Sequence, residues 1–267
     1  MSFQLVSMSE IMRVAPWSLR ALGHPFGVAE RATSLVTWTE AAVGHALEML
    51  RIGEGKLAAS NRAPASIRGG DGARGRHIDA KGRNLFELGP PAVDLATCDA
   101  RVSGVGDVVI TNSIGTLLAP AMADLAVRRD LVAVVAYRTG PAEVGIKGLP
   151  TAGWIAAWRA SERAKFATGD LDSLRSIADV FAGEIKARLL KHAEALMSSD
   201  AMVTIATTTT SPPDFDCLPG QIDYAGRVAG AYRNGIEVAT EDLAHLYSLE
   251  RITWAPTSER SRKQAGY

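Results

Sequence analysis

The run VGDVVIT at residues 105–111, followed by LVAVVAY at residues 131–137, decides the class of fold. Both runs are rich in β-branched residues, and the second is continuously apolar, as in a strand that is covered on both faces. Residues 114–129 between them show the apolar spacing of a helix, despite Pro120. Strand, helix and strand in succession predict an α/β protein, and AMVTIATT at residues 201–208 predicts a further strand.

The strongest helical pattern of the chain lies upstream, at residues 27–51. Apolar residues form one stripe along this helix (Ala32, Val36, Thr39, Val43, Leu47 and Leu50) and a second stripe on the opposite side (Trp38, Ala42, His45 and Met49). A helix with two apolar sides is buried between layers, or between the core and a partner subunit. Together with a net charge of zero, this pattern predicts a homodimer or a higher oligomer.

The whole chain, residues 1–267, is predicted to form a single α/β domain. A helix pair at residues 1–52 packs on a mixed sheet, and residues 85–267 hold the α/β core and a polar C-terminal tail. Residues 53–84 are rich in glycine and arginine, which predicts a flexible loop or, alternatively, a lid over a site. The pattern predicts one long helix at residues 170–198, whereas residues 151–167 fit a strand followed by a helix without deciding it.

Composition excludes several classes of partner. The 29 Lys and Arg residues balance the 29 Asp and Glu residues, whereas a protein that neutralises phosphates carries a basic excess. No apolar run approaches the roughly 20 residues of a membrane span. The two cysteines are too few for a disulfide framework. We therefore predict a cytoplasmic protein that handles a small molecule and neither nucleic acid nor membrane.

The common catalytic motifs are missing from the sequence. It contains no phosphate-binding loop, no HExxH and no Gly-x-Ser-x-Gly elbow, and no metal site is predicted. Gly104-Val105-Gly106 precedes a strand, whereas a dinucleotide fingerprint needs its glycines after a strand and at the start of a helix. Cys217 has no basic neighbour in sequence that would make it a nucleophile.

Four other positions are candidates for a site. His45 lies beside Trp38 on the apolar helix, where an imidazole serves either as an acid/base group or as a core histidine with one hydrogen bond. Asn112 and Ser113 follow a predicted strand and open a helix, where polar side chains either bind an anion or cap the helix. Arg260 in the tail either meets a carboxylate or phosphate or stays solvated.

The chain resembles the type-2 malate/L-lactate dehydrogenases. The likeness rests on residues 6–11 (VSMSEI), on residues 29–32 (AERA) and 43–46 (VGHA), and on residues 112–115 (NSIG), which look like a shortened Asn-Ser-x-His-Phe-Gly element of that family. The tail, WAPTSERSR at residues 254–262, is similar to that of an uncharacterised bacterial family related to those enzymes.

This resemblance implies a non-Rossmann α/β fold, commonly dimeric, whose members reduce 2-oxo acids or cyclic imino acids with NADH or NADPH. It also implies that His45 donates a proton beside the path of the hydride. The sequence departs from the family pattern at Gly44, Ala46 and Met49, where the family has serine, glycine and arginine; Arg51 is the nearest candidate for that arginine.

Two hypotheses follow. The first is a nicotinamide-dependent reductase of a small 2-oxo or cyclic imino acid with His45 as the acid/base. In this hypothesis Asn112 and Ser113 lie near the cofactor or the substrate, and Arg51 or Arg260 lies near a carboxylate. The second is a homologue without redox activity that binds a small metabolite or performs a non-redox proton transfer.

Overall fold

The structure, a computed structural model, describes residues 2–58, 64–69, 75–141, 146–199, 201–210, 215 and 218–253. Within them the strands are β1 (Phe3–Val6), β2 (Ser66–Arg68), β3 (Arg76–Asp79), β4 (Val105–Thr111), β5 (Val132–Arg138), β6 (Ala152–Ala160), β7 (Arg163–Gly169), β8 (Met202–Thr208), β9 (Gln221–Ile222) and β10 (Ile236–Ala239). The helices are α1 (Met8–Ala21), α2 (Phe26–Ala42), α3 (Ala46–Leu57), α4 (Leu85–Ser103), α5 (Ala119–Val127), α6 (Leu174–Val180), α7 (Gly183–Met197), α8 (Tyr224–Asn234) and α9 (Thr240–Thr253). A 3-10 helix at Thr116–Leu118 leads into α5.

An eight-stranded mixed sheet forms the centre of the molecule, in the order β2-β3-β4-β8-β5-β6-β7-β9. Only β3 and β4 pair in parallel among these described strands; the other pairs are antiparallel. The two strands that decide the fold class, β4 and β5, are not neighbours, because β8 lies between them and pairs with both. A separate pair, β1 with β10, joins the two ends of the described chain.

The apolar run of β5 is buried on both faces, as the sequence predicts. Val132 and Val134 belong to the core that contains α6 and α7, whereas Ala133 and Val135 belong to the core that contains α2, α4 and α5. Successive side chains of a strand point to opposite faces, so a strand between two helical layers needs apolar residues at every position.

The helix predicted at residues 27–51 is interrupted. The chain leaves α2 at Val43 and enters α3 only after Gly44 and His45, whose φ angles are 84° and 66°. Left-handed backbone cannot continue a right-handed helix, so the two apolar stripes belong to two helices with different directions. His45 therefore occupies the junction between them.

Two further predicted segments differ in the structure. Residues 151–167 contain the hairpin of β6 and β7 in place of a strand and a helix. The long helix predicted at residues 170–198 is divided into α6 and α7, because the chain is extended at Phe181 and Ala182 and Gly183 has a φ of 64°. Within residues 53–84, β2 and β3 pair with each other, and β3 extends the main sheet along β4; residues 59–63 and 70–74 lie outside the described residues.

The predicted fold class, a non-Rossmann α/β fold with a helical N-terminal segment packed on the mixed sheet, is wrong. Helices α4 and α5 cover one face of the sheet and α7 covers the other, which is the three-layer arrangement of Rossmann-like α/β proteins. Helix α2 packs mainly on other helices, among them α1, α4 and α8. The predicted dimer stays a prediction. The division of residues 1–267 into three parts stays a prediction.

Every helix among the described residues is too short or too polar to span a bilayer.

Candidate active site

A cavity of about 470 Å³ opens between the helical layer and the end of the sheet. Val43 and Met49 reach it from either side of the junction between α2 and α3, and Thr116 reaches it from the 3-10 helix before α5. Strand β5 and helix α8 supply Tyr137 and Tyr224. The volume is in the range of roughly 300–1,000 Å³ that is typical of small-molecule sites.

The cavity is largely apolar and offers neutral hydroxyl groups. Burial, with a smaller contribution from Tyr224, raises the pKa of Tyr137 to about 12, so this phenol keeps its proton and can donate it in a hydrogen bond. Burial also raises the pKa of Tyr224. Hydrogen bonds from the backbone and side chain of Ser173 lower the pKa of Asp170, the one charged side chain among the described residues of the lining.

His45 is not sealed in the core, and it lies in the turn between two residues that line the cavity. Its side chain is 47% exposed, and its neighbours Val43 and Met49 line the cavity although the imidazole is not among the lining groups. The imidazole Nδ1 lies 2.7 Å from Oε2 of Glu48, one turn further along α3. This contact makes Nδ1 the donor to the carboxylate and leaves Nε2 as the atom that can exchange a proton with a ligand.

Glu40 stabilises the junction between α2 and α3. Its Oε2 accepts a hydrogen bond of 2.9 Å from the backbone N–H of Leu47 and so caps α3, whose N-cap residue His45 makes no side-chain cap. Burial raises the pKa of Glu40 above its usual 4.5, against the opposing effect of the hydrogen bonds from Leu47 and Ala46.

We expect Glu40→Gln to raise the free energy of unfolding at neutral pH. Because the folded pKa of Glu40 lies above its usual 4.5, stability falls as the pH rises from 4.5 through the folded pKa, and the loss persists at higher pH. Glutamine keeps an oxygen acceptor for Leu47 and cannot ionise. Urea unfolding of both proteins at neutral pH and below pH 4.5 measures the difference, which should vanish at the acid end. A variant that is the less stable protein at neutral pH would show that the charged cap outweighs the cost of burial.

Arg51, predicted to bind a substrate carboxylate, is engaged elsewhere. Its Nε lies 2.5 Å from Asp242 and its guanidinium NH2 group lies 3.1 Å from Glu241, both on the first turn of α9. It does not line the cavity. These ion pairs hold α3, which begins directly after His45, against α9.

Asn112 and Ser113 lie in the turn that follows β4. Asn112 has a φ of 55° and donates from Nδ2 to Oδ1 of Asp79 at 2.9 Å, so it ties the turn to the end of β3. Ser113 is buried, and its Oγ has no hydrogen-bond partner among the described residues. The 3-10 helix that follows has no side-chain cap, so neither residue acts as the cap that the sequence allowed. Neither residue lines the cavity, whereas Thr116, three residues after Ser113, does.

Arg260 and Cys217 lie outside the described residues. Glu48, Tyr137 and Tyr224 were missed by the sequence analysis. No group of three or more His, Cys, Asp or Glu within the described ranges is placed to hold a metal ion.

Comparison with known proteins relates the chain to dehydrogenases through its fold. No model of a protein family matches the sequence, and no curated protein matches it either. Malate dehydrogenase from Pyrococcus horikoshii OT3 superposes with a TM-score of 0.67 at 13% identity, over 95% of this chain and 97% of that one. Sulfolactate dehydrogenase from Methanocaldococcus jannaschii gives a TM-score of 0.67 at 13% identity, over 94% and 97%. Delta1-piperideine-2-carboxylate reductase from Pseudomonas syringae gives 0.59 at 14% identity, over 92% and 99%.

These likenesses confirm, at the level of the fold, the relation to the malate/lactate dehydrogenases that the sequence resemblance indicated. The chain shares with these proteins the layered α/β arrangement described above. The comparison therefore also contradicts the predicted non-Rossmann fold.

Proposed function

We propose that this protein is a reductase that transfers a hydride from NADH or NADPH to a small 2-oxo acid or cyclic imino acid. The observation that carries the proposal is the His45–Glu48 pair, in which Nε2 of the imidazole makes no hydrogen bond to the described residues. The pair lies in the segment that joins Val43 and Met49, two residues that line the cavity of about 470 Å³. The names of the neighbours support the choice of chemistry, since they are two dehydrogenases of hydroxy acids and a reductase of a cyclic imine.

The residues present fit a nicotinamide cofactor at the turn between β4 and α5. The buried Oγ of Ser113 has no hydrogen-bond partner among the described residues, and Thr116, three residues later, lines the cavity. Helix α5 begins beside the cavity, where Pro120 lines the wall, and the start of a helix favours phosphate. The cofactor, when bound, supplies the hydride.

His45 would supply the proton that balances this hydride. Reduction of C=O or C=N adds hydride to the carbon and a proton to the oxygen or nitrogen, and Nε2 of a protonated imidazole can deliver that proton near neutral pH. Glu48 holds the ring in place through Nδ1. Tyr137 stays protonated and can donate a hydrogen bond to the substrate without exchanging its proton.

A substrate carboxylate needs a cation, and the described lining of the cavity supplies none. Arg51 is already held by Asp242 and Glu241. Among the predicted residues, Arg260 therefore remains the proposed partner of the carboxylate.

The second candidate function is a non-redox one, in which the cavity binds a small metabolite or His45 transfers a proton without a cofactor. The charge of the cavity favours this non-redox function. Asp170 is the only charged side chain that lines the described part of the cavity, and its carboxylate would repel the carboxylate of a 2-oxo acid. The departures of the sequence at Gly44, Ala46 and Met49 favour it as well.

One set of assays separates the two functions. We expect NADH or NADPH to show enhanced fluorescence on binding, and to be oxidised when 2-oxo acids or cyclic imines of five- and six-membered rings are added. Enhanced fluorescence without turnover of any of these substrates would contradict the proposed substrates but would still support a nicotinamide cofactor. Failure of both nucleotides to bind at millimolar concentration would overturn the reductase and favour the non-redox function.

A further inference from the structure

A second groove lies on the helical face of the molecule, between α2, α4 and α5. It has a volume of about 260 Å³, and its floor consists of Leu35, Trp38 and Ala121, which are 2%, 6% and 2% exposed. Pro90 and Leu125 add apolar walls. The groove is smaller than the roughly 300–1,000 Å³ of drug-sized sites, so its occupant would be a compact molecule with an apolar part.

The rim of the groove carries more positive than negative charge. Arg31, Arg128 and Arg129 face Asp94 and Asp124, three cations against two anions. Arg128 Nε lies 2.6 Å from Asp124, and Arg129 pairs with Asp94. Burial raises the pKa of Asp124, against the opposing effect of Arg128.

Arg31 is the cation with the most unused hydrogen-bonding capacity. Its side chain is 62% exposed, and its ion pair with Asp94 is long, at 3.9 Å. Asp94 itself is shared with Arg129. A guanidinium presents five N–H donors in a planar fork that matches a carboxylate, so Arg31 can accept an anionic group without losing a strong contact.

We propose that this groove is a second binding site, which takes a small carboxylate that is attached to an apolar ring or chain. The apolar part lies on the floor formed by Leu35, Trp38 and Ala121, and the carboxylate meets Arg31. The site is independent of the proposed reductase activity, since it shares no lining residue with the larger cavity.

The groove is nevertheless in physical contact with the wall of that cavity. The ring of Trp38 lies 5.8 Å from that of Tyr224, which lines the cavity, and both rings contact Phe166. Along α5, Pro120 lines the cavity and the next residue, Ala121, lines the groove. Trp38 therefore contacts both the groove and, through Tyr224, the wall of the candidate active site.

Calorimetric titration with benzoate tests the proposal, because benzoate combines a ring with a carboxylate. We expect benzoate to bind, benzamide and inorganic phosphate to bind at least about tenfold more weakly, and Arg31→Gln to weaken benzoate by at least about tenfold. Arg163→Gln, at an exposed arginine of β7 outside the groove, is the matched control and should leave the affinity unchanged. Thermal unfolding of the two variants shows whether each is folded.

Three outcomes would overturn the proposal. The first is no binding of benzoate to the wild-type protein at millimolar concentration. The second is binding that Arg31→Gln leaves unchanged, which would place benzoate elsewhere, for example in the larger cavity. The third is equal affinity for benzamide, which would show that the groove recognises the ring and not the carboxylate.

Discussion

His45→Asn is expected to lower the turnover number by roughly 10²–10⁴-fold, the range that a positioned acid/base group contributes. Asparagine is the informative replacement, because the φ of 66° at this position is one that asparagine tolerates and alanine does not. The side chain is 47% exposed, so its loss should change the thermal midpoint little. Steady-state kinetics on the substrate that the assays identify, together with circular dichroism, give both quantities.

Glu48→Gln is the matched variant for this experiment. Glutamine can still accept a hydrogen bond from Nδ1 but carries no charge, so we expect an intermediate loss of about tenfold in the turnover number. Nitrogen NMR of the imidazole should show that the Nδ1–H tautomer, which the 2.7 Å contact favours, is less populated in the variant. Full activity of His45→Asn would remove His45 from the mechanism, whereas a normal tautomer in Glu48→Gln would remove only the role of Glu48.

The strands were the predictable part of the fold. The apolar run at residues 105–111 coincides with β4, and the run at residues 131–137 differs from β5 by one residue at each end. Both strands are largely buried and rich in β-branched residues, and the run at residues 131–137 is continuously apolar, unlike an amphipathic helix. Their pairing was not predictable, because β8, which separates them, comes from a distant part of the chain.

The break in the helix at His45 was not predicted, because the apolar pattern is regular on both sides of it. Apolar residues continue at helical spacing from α2 through α3, and periodicity reports which side chains are buried, not whether the axis is continuous. Gly44 was the available signal, since a glycine permits the φ of 84° that the turn requires. The predicted stripe placed His45 on a helix face, whereas the structure places it in the turn between α2 and α3.

The candidate site was predictable only in its local parts. Glu48 follows His45 by three residues, a spacing at which side chains on one helical turn meet, so the pair could have been found from the sequence. Tyr137 and Tyr224 could not have been found from the sequence, because they come from β5 and α8. They line one cavity only because the helical layer packs on the sheet. The ion pair of Arg51 with Asp242 also depends on tertiary packing, since α3 and α9 are far apart in the sequence.

Gly106→Ala should be the most destabilising small change in the described chain, by roughly 3 kcal/mol or more. A methyl group on Gly106, in β4, would overlap with the carbonyl oxygen of Ala96 and lie 2.8 Å from the backbone nitrogen of Ala100, both in α4. Both contacts are backbone atoms, so no flexible side chain can move away. The Gly104-Val105-Gly106 sequence, which is not a dinucleotide fingerprint, thus has a packing role: it lets α4 lie directly on the sheet.

Gly55→Ala is the control, because it adds the same methyl group where nothing lies within 4 Å. Gly55 is inside α3, and alanine in a helix is about 0.5–1 kcal/mol more favourable than glycine, so this variant should be slightly more stable than the wild type. Urea unfolding measures both variants, and the yield of folded protein serves if Gly106→Ala does not fold. A Gly106→Ala protein as stable as the wild type would mean that α4 can move away from β4 at little cost. The 3-10 helix and α5, which pack on α4, would then not be held rigidly beside the cavity.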